Sequence, residues 1–143
     1  MPMSADDARM RQILRECRRI AVVGLSPKPE RDSYQVARFM QAHGYQIIPI
    51  NPNASEILGQ PCYPSLSVAA QHTPIDLVNC FRNAADIPPI AEEAVAIRAK
   101  ALWLQLGIRH DQACAQAAAA GLWTVQDRCL KVDFARLQAS LSG

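Results

Sequence analysis

Ile20-Ala21-Val22-Val23-Gly24-Leu25-Ser26-Pro27-Lys28-Pro29-Glu30-Arg31-Asp32-Ser33 decides the fold. A short apolar run ends in glycine, and a Ser/Pro/basic loop leads into a helical pattern that begins near Asp32. Strand, tight turn and helix N-terminus in succession bring backbone N–H groups and the positive end of a helix dipole to one place, which suits a phosphate.

Working outward, apolar and helical patterns alternate along the chain. Met10, Ile13, Leu14 and Cys17 recur at helical spacing over residues 5–17, with Asp6 and Asp7 as capping candidates. A buried strand follows over 19–25. A helix over about 32–43 buries Val36, Phe39 and Met40, and Gly44 stops it. Tyr45–Ile50 reads as the second strand, closed by Asn51-Pro52-Asn53, and Ile75–Phe81 reads as the third. Between them lies a loop-rich stretch with one helical turn near Leu66–Ala70. Pro88 and Pro89 suit the first turn of a helix with apolar Ile90, Ala94 and Ile97. Ala101–Leu106 is the fourth strand; the Ala-rich run 111–120 is a helix with Asp111 as cap. Leu122–Gln126 is the fifth strand, before a last helix over about 132–141. Trp103 and Trp123 fall inside apolar strands and are assigned to the core. Strict alternation predicts one Rossmann-like domain over 1–143: a three-layer α/β/α sandwich on a five-stranded parallel sheet, with expected strand order 3-2-1-4-5.

Composition narrows the function. Half of the 143 residues are hydrophobic and a fifth are charged, which suits a globular protein with a real core. No apolar run approaches the roughly 18 residues of a membrane span, and the N-terminus lacks a basic segment followed by an apolar one; a cytoplasmic protein is expected. A net charge of +2 is too small for a nucleic-acid footprint. Five widely spaced cysteines and three histidines form no metal-ligand spacing, so reduced thiols and no metal site are expected.

In a parallel α/β sheet, ligands bind beyond the carboxyl ends of the strands. Those segments here are Gly24 to Arg31, Asn51-Pro52-Asn53, Phe81-Arg82-Asn83, Gln105 to Ile108, and Asp127-Arg128. Gly-x-Gly-x-x-Gly is absent and the second strand ends in Asn51 rather than an acid, which argues against NAD or FAD; a Walker loop is absent too. What remains is a phosphate-bearing nucleotide held by Gly24, Ser26 and Arg31, with Lys28 and Arg82 as further cations. The alternative is that Arg31 and Lys28 solvate an exposed turn. Gly24-Leu25-Ser26 is no nucleophile elbow, because position 28 is Lys where Gly is required. Ser26 is then either a ligand donor or a turn residue. Cys80, near the end of the third strand, and Cys129, between Arg128 and Lys131, are the candidate reactive thiols, each weighed against a small buried hydrophobe.

With these residues in hand, the chain resembles the small stand-alone CoA-binding domain proteins of the YccU-like family, similar to the CoA-binding domain of the succinyl-CoA synthetase alpha subunit. The matching segments include Ala21–Ser26, Pro29–Ser33, Ile48–Pro52, Asp76–Val78, Phe81-Arg82, Trp103–Ile108 and Asp127–Cys129. The resemblance implies coenzyme A or an acyl-CoA as ligand, contacted by Gly24, Ser26, Arg31, Asn51, Pro52, Phe81, Arg82 and Gln105. Such synthetases phosphorylate a histidine in a further domain that has no counterpart here, so binding without catalysis is the expectation. The alternatives are an acyl-CoA thioester or acyl-transfer enzyme using Cys80 or Cys129, a CoA-responsive regulatory module, and storage of CoA as a mixed disulfide on Cys80.

Overall fold

The computed structural model of the chain describes residues 3–141; Met1 and Pro2, part of the stretch read above as lacking a leader, lie outside it, as do Ser142 and Gly143. The predicted alternation is present. The order is α1 (Ala5–Glu16), β1 (Arg19–Val23), α2 (Asp32–Ala42), β2 (Gln46–Ile50), a small hairpin of β3 (Glu56–Ile57) and β4 (Gln60–Pro61), and α3 (Leu66–Ala70). β5 (Leu77–Cys80), a 3-10 turn (Ala84–Asp86), α4 (Ile87–Ala96), β6 (Ala101–Leu104), α5 (Asp111–Ala119), β7 (Trp123–Val125) and α6 (Leu130–Leu141) complete it. Two caps differ from expectation. Ser4, not Asp6 or Asp7, caps α1 by accepting the Asp7 N–H at 3.0 Å. His110, not Asp111, caps α5, its Nδ1 accepting the Ala113 N–H at 3.1 Å. No helix among the described residues is long and apolar enough to cross a membrane.

The five main strands form one parallel sheet in the order β2-β1-β5-β6-β7. Counted along the chain this is 2-1-3-4-5, which corrects the expected 3-2-1-4-5: the third main strand lies on the far side of β1, not beyond β2. The reason is Pro49. Its carbonyl, on the outer side of β2, accepts the Tyr63 N–H at 3.0 Å, and the Asn51 N–H returns to the Tyr63 carbonyl at 2.9 Å. A strand residue points its N and its carbonyl to the same side, so the missing N–H of Pro49 also faces outward, where a full strand would need it. β2 is therefore an edge, closed by the single residue Tyr63.

Asp76 holds β5 in its place. One carboxylate oxygen accepts the backbone N–H groups of Arg18 (3.1 Å) and Arg19 (3.0 Å) and the Arg19 Nε at 3.3 Å. The Asp76 N–H donates to the Arg19 carbonyl at 3.0 Å, and its own carbonyl accepts from Lys100 at 2.8 Å, just before β6. Helices cover both faces of the sheet. Met10, Ile13, Met40 and Phe134 pack with Ile20, Val22 and Trp103 on the α1/α2/α6 side. Leu66, Ile87, Ala94 and Cys114 pack with Ala21, Val78 and Leu104 on the α3/α4/α5 side. Trp103 is fully buried, with its indole N–H on the Arg128 carbonyl at 2.8 Å. Trp123, assigned to the core from sequence, is only half-buried, because β7 is the other edge of the sheet.

Asp76→Ala leaves two part-buried strand-entry N–H groups without their acceptor and is expected to lower the unfolding free energy by about 1–2 kcal/mol. Asp76→Asn, which keeps an acceptor oxygen, costs less. Urea unfolding with an unchanged slope measures both; an Asp76→Ala midpoint equal to that of the wild type would show that the strands hold their order without this carboxylate.

Candidate functional site

The order β2-β1-β5 makes the chain leave β1 and β5 in opposite directions, toward α2 on one face and α4 on the other, and a crevice opens above them. Gly24 sits at its floor with φ +85°, and its N–H donates to the Ile50 carbonyl at 3.1 Å. A Cβ there would stand 3.0 Å from the Phe81 carbonyl oxygen and 3.0 Å from the Arg82 Cδ. Only glycine allows both the left-handed backbone and the close approach of the β5 exit.

Beyond Gly24 the loop is fastened internally. Leu25 is fully buried on the α2 side. The Ser26 N–H donates to the buried Ser33 Oγ at 3.0 Å, and the Ser26 Oγ accepts the Lys28 N–H at 3.1 Å. Ser26 is thus a turn residue in this structure. The Arg31 N–H closes onto the Lys28 carbonyl at 3.0 Å. Arg31 occupies the cap position of α2, and no side chain caps that helix. Among the described residues, the Arg31 guanidinium and the Lys28 ammonium make no hydrogen bond or ion pair. An uncapped helix start beside a free guanidinium is an electropositive spot in need of an anion.

Asn51 is committed to the scaffold. Its Nδ2 donates to the Leu25 carbonyl at 2.9 Å and its Oδ1 accepts the Asn53 N–H at 2.7 Å, so it clamps the β2 exit to the β1 loop. The stem of Arg82 lies over Gly24, and its guanidinium reaches the Asp86 carboxylate at 3.4 Å on the exposed surface. The 3-10 turn and α4 begin here, also without side-chain caps.

These segments enclose a cleft of about 760 Å³, within the range of small-molecule sites. Seven of the nine residues expected from sequence line it: Gly24, Ser26, Arg31, Asn51, Pro52, Phe81 and Arg82. Lys28 and Gln105 do not. Lys28 is exposed on the loop away from the lining. Gln105 is 7% exposed and turned toward α6, where its Oε1 accepts the Leu130 N–H at 3.3 Å and the Asn79 Nδ2 at 3.4 Å. It caps a helix rather than facing the crevice.

The sequence reading missed the far wall, formed by Pro64, Ser65 and Leu66 at the start of α3 and by Pro89, Ile90 and Glu93 of α4. The Ser65 cap on Val68 (3.2 Å) and the helical spacing from Pro89 to Glu93 were the available signals. The thiol candidates are displaced from the cleft lining. Cys80 has no solvent exposure, and burial pushes its thiol well above the ordinary range, so neither nucleophilic attack nor disulfide exchange has access. Cys129 is half-buried against the α1/α2/α6 core and lies outside the cleft. His110 does not line the cleft and is occupied in capping α5.

The profile of the CoA binding domain family matches residues 18–135. YneT of Bacillus subtilis (strain 168), itself uncharacterized, is 40% identical over 128 residues, which covers 90% of this chain and 93% of YneT. A hypothetical protein from Pyrococcus horikoshii OT3 superposes with a TM-score of 0.87 at 35% identity, over 96% of this chain and 98% of that one. The dinucleotide-forming acetyl-coenzyme A synthetase 1 of Ca. Korarchaeum cryptofilum shares the fold over 81% of this chain and 27% of its own, with a TM-score of 0.69 at 20% identity. The profile covers most of the chain, and the chain belongs to the CoA binding domain family.

Proposed function

We propose that the chain binds coenzyme A or an acyl-CoA in the cleft above β1 and β5, as a binding protein without a catalytic step of its own. The observation that carries this reading is the uncapped start of α2 beside the unpaired Arg31 guanidinium, on a loop held open by Gly24. A pyrophosphate supplies the anion that those groups lack. Gly24 and the Ser26 backbone approach it, Arg31 and Arg82 neutralise it, and Lys28 contributes from the rim. Phe81 and Pro52 offer apolar surface, while Asn51 shapes the site rather than touching ligand. Gln105 acts through α6. What supports binding without a catalytic step is that neither Cys80 nor Cys129 lines the cleft and that the Ser26 hydroxyl is engaged by the Lys28 N–H.

A thermal-shift series with CoA, acetyl-CoA, NAD, NADP and ATP tests the ligand class. At a hundred times its dissociation constant a ligand stabilises the fold by about 2.7 kcal/mol, a readily measured shift. Stabilisation by CoA compounds alone is expected; stabilisation by NAD or NADP instead would overturn the reading. Arg31→Ala is expected to weaken CoA by about tenfold or more with little change in melting temperature, because the side chain is exposed and unpaired. Unchanged affinity in that variant would remove Arg31 from the site.

A further inference from the structure

The cleft is chemically lopsided. Among the described residues, its lining comes from the exits of β1, β2 and β5 and from α3 and α4, with nothing contributed after β6 or β7. At the α2 end stand Arg31 and the uncapped helix start. At the opposite end, on the α3/α4 face, Pro64, Leu66, Pro89 and Ile90 form apolar walls around one carboxylate, that of Glu93. Two carboxylates line the cleft, and Asp86 is paired with Arg82. Glu93 has no cation partner among the described residues. Its Oε2 accepts the Ser67 N–H at 2.8 Å and the Ser67 hydroxyl at 2.7 Å, which fixes the carboxylate across the gap between α4 and α3. Its Oε1 has no hydrogen-bond partner among the described residues.

A carboxylate so placed repels phosphate and calls for a hydrogen-bond donor, and the apolar walls beside it call for a flat, weakly solvated ring rather than a sugar. Resting on the CoA reading above, we propose that this end is the nucleobase subsite and that the free Glu93 Oε1 accepts from the exocyclic amine of adenine, making Glu93 the residue that selects a 6-amino purine over a 6-oxo purine. The two ends then fit the two halves of an adenosine diphosphate: anion at Arg31, amine at Glu93. The remainder of the ligand leaves the cleft toward the β6 side, where no lining residue confines it.

The test is equilibrium binding of CoA and of its deaminated analogue, with hypoxanthine in place of adenine, to the wild type, Glu93→Gln and Ser67→Ala. Glu93→Gln keeps an acceptor for Ser67, so the tether between α3 and α4 survives, but its amide can also donate to a 6-oxo group. Wild type is expected to favour CoA by about tenfold or more, the scale of one hydrogen bond to a charged group. Glu93→Gln is expected to lose most of that preference by binding CoA more weakly and the analogue more tightly. Ser67→Ala, which loosens the tether and keeps the carboxylate, is expected to retain the preference. Equal binding of both ligands by wild type, an unchanged ratio in Glu93→Gln, or a ratio lost in Ser67→Ala would overturn the subsite while leaving CoA binding intact. Failure of wild type to bind either ligand would overturn the CoA reading and the subsite with it.

Discussion

Through its carboxylate and its backbone, Asp76 joins β5 to β1 and β6 at the amino end of the sheet, and the geometry at the carboxyl end depends on that junction. By accepting the N–H groups of Arg18 and Arg19 it sets β5 beside β1 rather than beyond β2. Once β5 lies there, its exit at Phe81 and Arg82 meets the turn after β1, and the close contact at Gly24 follows. The chains then diverge to opposite faces of the sheet, which opens the cleft. A polar contact at one rim thus determines where a ligand can enter at the other.

Much of this was legible in the sequence, because alternating strands and helices leave strong periodic signals. The boundaries of α2, β2 and α3 fall within a residue or two of expectation, and Gly24 was recognisable as the tight turn that ends the first strand. Strand order was less legible. Pro49 carried the needed information, but a proline inside an apolar run marks an edge only when the direction of its nitrogen is known. Side-chain commitment was hidden too. Asn51 and Gln105 are polar residues at strand ends, which is where ligand contacts are expected, yet both spend their amides on backbone groups of neighbouring segments. Sequence shows that a donor is present and not whether the fold has already used it. Cys80 presents the same difficulty in reverse: a residue at the end of a strand beside the site can still be wholly buried, because its side chain faces the α3/α4/α5 core.

On the proposed reading, the site holds its ligand rather than transforming it. Its cationic end combines unsatisfied N–H groups with a free guanidinium, and its other end pairs apolar walls with a single oriented carboxylate. Such polarity aligns an elongated ligand that is anionic in the middle and aromatic at one end. No accessible thiol among the described residues lines it, and its serines are engaged in turns and caps.

A second, smaller cavity of about 290 Å³ lies between α1 and the β7 edge, lined by Arg9, Arg109 and Arg128, and offers an alternative home for an anionic ligand. Backbone amide NMR during a CoA titration separates the two most directly. The proposed cleft predicts saturable shifts at Gly24–Ser33 and Phe81–Glu93, with Thr124 and its neighbours unmoved. Shifts concentrated at Arg9, Thr124 and Arg128, with the Gly24 loop unchanged, would contradict it.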